Sequence, residues 1–226
     1  IVAQQPAEDK AQCYTTWDDN YFYLSFRVDC PDVQSRHSSP NSEVTGDDAV
    51  IVFIETNNKH ADSITPSCFS MAVSAGGGAQ FSAGTENGKL EPMNVLSFKY
   101  GSTVQGTLNN NDDIDTGYSV EMALPWSILN TKPPRLGDMM SFNIIVRRNG
   151  WKAGDMASLA PRVKTEEDIL SPSKWANMVY AAFAFVATSG GEKVLSVRNI
   201  VSPPLINGVV DDREWPKNGT FALKMP

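Results

Sequence analysis

The stretch Phe22-Tyr-Leu-Ser-Phe-Arg-Val28 decides the fold class, because apolar and polar residues alternate through it. Side chains of a β-strand point to opposite faces with a period of two residues, so strict alternation predicts a strand with one buried face. The same alternation recurs in residues 118–124 and 140–146. We therefore predict a chain built mainly from β-strands that each cover one side of a core.

The remaining pattern extends this prediction to the whole chain. The run Ala49-Val-Ile-Val-Phe-Ile54 is apolar throughout, which predicts a central strand covered on both faces. Clusters of Gly, Asn, Asp and Ser separate the strand candidates, and only 125–129 and 165–170 could form a helical turn. Many strands without helical periodicity predict an all-β fold, an antiparallel β-sandwich of the jelly-roll or immunoglobulin-like type. Further strand candidates are 13–17, 69–74, 95–100, 178–185 and 193–197.

Composition excludes several classes of partner. The 226 residues are 41% hydrophobic, enough for one well-buried core, and the net charge is -7. The Lys and Arg residues are scattered, so the cationic surface that nucleic acid needs is missing. No apolar run approaches the roughly 20 residues of a membrane span, so no membrane insertion is expected.

Neither the cysteines nor the histidines form a recognisable catalytic or metal motif. Cys13, Cys30 and Cys68 show no C-x-x-C spacing, so they are interpreted either as buried free thiols or as one disulfide plus one thiol in a secreted chain. The sequence has no G-x-S-x-G, H-E-x-x-H or phosphate-loop motif, and His37 and His60, its only histidines, fall in loop-like segments. We therefore predict that the protein is not an enzyme.

Six segments of the sequence form a recognisable set. Four of them, in chain order, are Thr16-Trp-Asp-Asp-Asn-Tyr-Phe-Tyr-Leu-Ser-Phe-Arg-Val-Asp29, Gly46-Asp-Asp-Ala-Val-Ile-Val-Phe-Ile54, Gly117-Tyr-Ser-Val-Glu-Met-Ala-Leu-Pro-Trp126 and Ser141-Phe-Asn-Ile-Ile-Val146. The other two are Pro172-Ser-Lys-Trp-Ala-Asn177 and Pro204-Leu-Ile-Asn-Gly-Val-Val-Asp-Asp-Arg-Glu-Trp215.

The first four segments resemble carbohydrate-binding module family 9 and its wider DOMON-like relatives. The other two resemble that family's last-strand and first-strand motifs, although the first-strand motif stands at the C-terminal end here. The resemblance implies an extracellular, non-catalytic β-sandwich, often with structural calcium, in which two tryptophans clamp a sugar ring.

At the positions of the family's sugar clamp this chain carries aliphatic residues. The first clamp tryptophan falls near Val44, a hydroxyl-binding glutamate falls on Ile51, and the second clamp residue meets Ile169 or Leu170. The resemblance therefore implies the family's scaffold with a different sugar contact. The expected partner is a glycan or another cell-surface polymer.

Other residues are candidates for contacting that partner. Trp151 is flanked by glycines and lies outside any alternating pattern, which favours an exposed aromatic ring. Four residues occupy the polar phase of their strands and would share one sheet face if those strands are neighbours; the alternative is a cross-strand salt-bridge ladder. They are Arg27, Glu121, Asn143 and Arg147.

Candidate metal and cofactor sites are limited to carboxylates. The calcium candidates are Asp29 with Asp32, Asp47 with Asp48, and Asp112-Asp-Ile-Asp115, although each cluster is also typical of an Asx-rich turn. Some relatives bind b-type haem through Met with His or Lys, but the loop positions of both histidines argue against haem here.

The displaced first-strand motif suggests a particular domain organisation. Residues 1–187 are predicted to form a sandwich module that lacks its usual first strand, 188–192 a Gly/Ser hinge, and 193–226 the displaced segment. That segment would complete the same chain's module, a following module or a neighbouring copy, because open strand edges need a partner. The third alternative predicts self-association into a homopolymer by donor-strand exchange. The exchanging residues would be Leu205, Ile206, Val209, Trp215, Phe221 and Leu223.

Overall fold

The computed structural model describes residues 10–94, 98–148, 156–182, 186–189, 192–215 and 221–224. These residues contain fourteen strands, one α-helix and one 3-10 helix. The strands are β1 (Lys10–Trp17), β2 (Tyr21–Asp29), β3 (Ala49–Glu55), β4 (Cys68–Ser74), β5 (Ala79–Gly84), β6 (Leu90–Met93), β7 (Lys99–Gln105), β8 (Gly117–Pro125), β9 (Met139–Arg147), β10 (Ala157–Ser158), β11 (Ala176–Ala181), β12 (Val186–Ser189), β13 (Glu192–Asn199) and β14 (Phe221–Lys224). The helices are α1 (Glu166–Ile169) and the 3-10 helix Pro172–Lys174, and neither has the length or apolar character that a bilayer crossing needs.

The strands form one continuous hydrogen-bonded sheet in the order β6-β5-β4-β3-β9-β11-β13-β1-β2-β8-β7. The short strands β10, β12 and β14 pair with β9, β13 and β1. The sheet curls so that its halves pack face to face, with the Phe22 ring on β2 lying 6.0 Å from the Phe142 ring on β9. The predicted all-β sandwich is confirmed. Its antiparallel character needs one correction, because β13 runs parallel to both β11 and β1.

Alternation along the strands places the core between the two halves. On β2, Phe22, Leu24 and Phe26 are fully buried, and Phe22 pairs with Leu124 of β8 in the same inward phase. Every residue of β3 is buried, as the apolar run predicted for a central strand. The inner faces of both halves therefore form one hydrophobic cluster.

The outer face of the β3 and β9 half is covered by residues 156–175, here called the covering segment. Ile54 pairs with the inward-facing Phe142, so Phe53 and its partner Asn143 point outward. The Trp175 ring packs 5.6 Å from the Phe53 ring, and its Nε1 donates to Ile169 O at 3.0 Å. This packing fixes the covering segment on the sheet.

The short helix α1 lies within the covering segment and is closed by a capping box. Thr165 Oγ1 accepts from Asp168 N, and the Asp168 carboxylate accepts from Thr165 N in return. The predicted helical turn at 165–170 is confirmed. The other candidate, 125–129, is instead the end of β8 followed by a turn.

The outer face of the β1, β2 and β8 half is covered by residues 203–215, here called the C-terminal segment. Trp215 is buried there together with Tyr14 and Tyr23 of the sheet. Gly208 has a positive φ of 86°, and a Cβ at this position would lie 2.6 Å from Ser102 N. Glycine is therefore required where the C-terminal segment touches the backbone of β7.

The chain between and beyond these segments joins the same sheet. Within 188–192, predicted as a hinge, Ser189 of β12 pairs with Glu192 of β13. β13 then runs between β11 and β1, and β14 returns to pair antiparallel with β1, placing Leu223 opposite Ala11. The described strands of this region, β13 and β14, thus pair with strands of their own chain in this structure.

The three cysteines are buried free thiols. The alternative of one disulfide is wrong, because each thiol lies in its own environment. Cys13 and Cys30 each donate to a nearby backbone oxygen, and Cys68 accepts from Thr65. Burial is the main factor that raises the pKa of all three thiols, so they stay protonated and unreactive.

Candidate functional site

The positions to which the resemblance assigns the sugar clamp lie on or beside the outer face of the β3 and β9 half and are mostly buried. Val44 is inaccessible and Ile51 is buried between Ala72 and Ile145, its partners on β4 and β9. Ile169 is buried, whereas Leu170 is 48% exposed. Stacking on a sugar needs an accessible flat ring, so these positions cannot form a two-tryptophan clamp.

Asn143 and Arg147, two of the predicted sugar contacts, hold the covering segment in place. Asn143 is buried, and its Oδ1 accepts from Ser158 Oγ at 3.1 Å and from Ala160 N at 2.9 Å. Arg147 forms an ion pair with Glu166 of α1. Both side chains are therefore engaged within the chain.

Arg27 and Glu121 lie on the other half of the sheet, so the four polar candidates do not share one face. β9 is a neighbour of neither β2 nor β8, which corrects the single-face prediction. Arg27 forms an ion pair with Asp212 at 2.7 Å and donates to Val210 O at 2.7 Å. It therefore contacts the C-terminal segment. Trp151 lies outside the described residues.

Glu121 is the central contact of the C-terminal segment. Its carboxylate is 0% exposed and accepts from Asn207 N at 2.8 Å, Gly208 N at 2.9 Å and Trp215 Nε1 at 2.8 Å. Burial raises the pKa of Glu121 above its ordinary value, and the three hydrogen bonds only partly offset that rise. Glu121 thus holds the C-terminal segment on β8 of the same chain.

The residues predicted to exchange are only partly buried. Trp215 and Leu223 are buried, whereas Leu205 and Val209 are exposed and Ile206 is half-buried. Phe221 pairs through its backbone with Cys13 of β1. The contact of this region with the sheet therefore depends more on backbone hydrogen bonds and Trp215 than on a continuous apolar stripe.

The calcium candidates Asp47 and Asp48 are buried and occupied by hydrogen-bond donors. Asp47 accepts from Ser35 Oγ at 2.8 Å and Arg36 N at 3.0 Å, and Asp48 accepts from Gln34 N at 2.6 Å. Burial alone would raise the pKa of Asp47, but the hydrogen bonds from Arg36, Ser35 and His37 together lower it. Both carboxylates anchor loop 34–37, a role that the sequence did not suggest.

Asp29 and Asp32 are exposed, and Asp32 accepts from Gln34 Nε2 at 2.6 Å. Nowhere in the described ranges do three or more His, Cys, Asp or Glu side chains converge as a metal-binding group. Structural calcium stays a prediction that a binding measurement has to test.

An open groove, here called the edge groove, continues the outer face beyond the clamp positions. It has a volume of about 330 Å³ and lies between the loop before β3 and strands β5 and β6. Gln80 pairs with Ala72, which in turn pairs with Ile51, so Gln80 lies in the same outward phase as Ile51. The lining residues are Asn41, Glu43, Gln80, Pro92, Met93 and Asn94.

The edge groove combines hydrogen-bonding groups with a small apolar surface. Three side-chain amides and one carboxylate surround Met93, which is 49% exposed. Asn41 has a positive φ of 59° and donates from Nδ2 to Asn94 Oδ1 at 3.2 Å, which links the two walls. Amides offer both donors and acceptors, so this set can bind paired hydroxyl groups. No pattern in the sequence indicated this groove, because its lining residues come from separate segments of the chain.

Comparison with known proteins places these features in a family context. Residues 2–181 match the sequence profile described as "Carbohydrate family 9 binding domain-like". No curated protein matches the chain.

Three solved structures share the fold. One is a "putative carbohydrate-binding protein" from Bacteroides uniformis ATCC 8492, with 15% identity, a TM-score of 0.58, and coverage of 79% of this chain and 83% of that one. A family 9 carbohydrate-binding module from Caldicellulosiruptor kristjanssonii in complex with glucose has 20% identity, a TM-score of 0.52, and coverage of 79% and 78%. The same kind of module with cellotriose has 18% identity, a TM-score of 0.52, and coverage of 89% and 83%.

Proposed function

Because the chain belongs to carbohydrate-binding family 9, which its match over residues 2–181 establishes, we propose that it is a non-catalytic module that binds a neutral glycan in the edge groove. The observation that carries this proposal is the cluster of three amides and one carboxylate around the exposed Met93. This cluster includes Gln80, which shares its sheet face with Ile51, the position to which the resemblance assigns a hydroxyl-binding residue. Hydrogen bonding, rather than stacking between two indoles, then provides most of the recognition.

The groove's size and charge favour a neutral sugar. A volume of about 330 Å³ holds one or two sugar rings. None of the described residues that line the groove is cationic, and Glu43 offers only acceptors, so hydroxyl groups are better partners than carboxylates or sulfates. Solved family members with bound glucose and cellotriose support a neutral ligand class. The glycan partner implies an extracellular or cell-surface location.

Binding in the edge groove is tested with the whole chain and neutral polysaccharides. We expect retention in affinity electrophoresis on at least one β-glucan or mannan gel. Gln80→Ala and Asn94→Ala should each weaken binding about 5- to 10-fold, because one net hydrogen bond contributes about 1 kcal/mol. Titration calorimetry with the matching oligosaccharide measures the change.

The matched control is Asn87→Ala, which removes an exposed amide outside the edge groove. This variant should bind like the unmodified chain. Equal weakening by Asn87→Ala and Gln80→Ala, or no retention on any neutral gel with calcium present, would contradict the proposal.

A second candidate function is a subunit of an extracellular filament assembled by donor-strand exchange. It is favoured by the way the C-terminal segment docks, since Glu121 binds residues about 90 positions away along the chain and a neighbouring copy could supply the same contacts. A face on one chain and a segment on another would then form the same hydrogen bonds.

Two complementary full-length variants test this exchange. Glu121→Ala damages the receiving face, and Gly208→Val damages the segment, because a side chain there would collide with β7. Refolded together, they should form heterodimers with one intact docking site, seen by light scattering as twice the chain mass. If the mixture contains only monomers while each variant alone is also monomeric, exchange is excluded.

A further inference from the structure

A second groove, here called the tyrosine groove, lies on the opposite half of the sandwich. It has a volume of about 420 Å³ and is bounded by the β1–β2 turn, β2, the start of β7 and residues 203–206 of the C-terminal segment. The side chains that give it chemical character are Asp18, Asn20, Tyr21, Tyr23 and Lys99. None of them belongs to the edge groove.

Lys99 is an exposed cation held over an aromatic ring. Its Nζ lies 4.9 Å from the centroid of the Tyr21 ring, a distance typical of a cation–π contact. Lys99 pairs with Ala123, which also pairs with Tyr23, so all three residues share the outward phase of the sheet. Among the ion pairs of the described residues, none includes Lys99.

Asp18, the other charged group of the groove, is occupied by hydrogen bonds within the chain. Its Oδ1 accepts from Asn20 N at 2.7 Å and Tyr21 N at 2.8 Å, and its Oδ2 accepts from Tyr23 Oη at 2.8 Å. The carboxylate therefore shapes the turn and orients Tyr23. Lys99 is left as the charged group that can meet a ligand.

We propose that the tyrosine groove binds an acidic sugar residue, a uronate, whose carboxylate pairs with Lys99 while its apolar ring face packs against Tyr21. The opposite wall offers an apolar surface, since Leu205 is 61% exposed. The side chain of Asn20, also exposed, supplies a donor and an acceptor for ring hydroxyls. This proposal concerns a second site and does not depend on the edge groove.

The charge of the site selects a single carboxylate. One ammonium group offers three N–H donors, enough for one carboxylate, whereas sulfate-rich or phosphate-rich polymers need several converging cations. The chain's net charge of -7 also opposes a highly charged polyanion. A uronate combines one negative charge with the C–H face that an aromatic ring accepts.

The experiment compares trigalacturonic acid with its fully methyl-esterified form, using the whole chain and titration calorimetry. The acid should bind at least about tenfold more tightly than the ester, because a hydrogen bond to a charged group contributes about 1.5–3 kcal/mol. Lys99→Gln should remove that preference, and Lys99→Arg should restore most of it. Raising ionic strength from about 0.05 to about 0.5 M should weaken binding of the acid.

The control is Lys132→Gln, which makes the same change of charge at an exposed loop position outside the tyrosine groove. It should leave binding of the acid unchanged. Equal affinity for acid and ester, or equal losses in Lys99→Gln and Lys132→Gln, would overturn the uronate site.

The two grooves are tested independently. Gln80→Ala should leave binding of trigalacturonic acid intact, and Lys99→Gln should leave retention on neutral gels intact. Failure of neutral binding alone overturns the edge groove, and failure of acid binding alone overturns the tyrosine groove. Thermal melting of Lys99→Gln should match that of the unmodified chain, because Lys99 is exposed.

Discussion

Replacing Glu121 with alanine is expected to lower the free energy of unfolding by about 3–5 kcal/mol, because each unsatisfied buried donor costs about 1–3 kcal/mol. Alanine leaves three donors of the C-terminal segment without their acceptor: two backbone N–H groups and the Trp215 indole. Chemical denaturation followed by tryptophan fluorescence measures the loss. The exposed Glu86, changed to alanine as a control, should alter stability by less than about 0.5 kcal/mol.

The variant Glu121→Gln keeps the shape of the side chain and removes its charge. Burial raises the pKa of Glu121 in the folded state, so the folded chain holds this proton more tightly than the unfolded chain. The stabilisation that this difference provides is fully present below the unfolded pKa and is lost as pH rises through the folded pKa. The stability of the unmodified chain relative to Glu121→Gln should therefore fall with rising pH across that window.

A stability difference between the unmodified chain and Glu121→Gln that does not change with pH would contradict the raised pKa. A Glu121→Ala variant as stable as the Glu86→Ala control would contradict the docking role itself.

Replacing Trp175 with alanine should destabilise the fold by about 3–5 kcal/mol, the range observed for large aromatic residues in cores. Trp175 is 0% exposed, packs against Phe53 and donates a hydrogen bond to Ile169 O. Its removal opens a cavity under the covering segment and releases the residues around α1. Urea denaturation gives the change in free energy, and faster hydrogen exchange across 157–170 would report the loosened segment.

Trp175→Phe is the informative partner variant, since it keeps an aromatic ring but loses the indole N–H. It should recover more than half of the stability lost in Trp175→Ala. Leu170→Ala, at a neighbouring half-exposed position, should cost less than about 1 kcal/mol. If Trp175→Ala were no more costly than Leu170→Ala, the covering segment would not be fixed by this ring.

The sandwich was predictable because its strongest signals are local. The alternation in β2 and β8 and the apolar run in β3 depend only on neighbouring residues and the pleat of a strand. β6 was not predicted, because its four residues include Pro92 and are largely exposed, as in many edge strands. The parallel position of β13 depends on partners far away along the chain, which no local pattern reveals.

The candidate sites were harder to predict for the same reason. Glu121 has the alternation of a solvated residue, yet it is buried by N–H groups 86 and 87 positions later. The edge groove brings together Asn41, Gln80 and Asn94 from three separate segments, and none of these residues lies in a motif. The acidic pair Asp47 and Asp48 suggested a metal because sequence does not show the donors that loop 34–37 directs at them.

The position of β13 has a consequence for the order in which the protein folds. It is the one hydrogen-bonded link between the two halves of the curled sheet in the described part of the chain, and it pairs Thr16 with Arg198. Joining such distant residues carries a large loop-closure cost before any contact repays it, so acquisition of native structure should be slow. During synthesis on the ribosome, both half-sheets would keep unpaired strand edges until residues 192–199 have been made. A chaperone should therefore matter most in the period before β13 is synthesised.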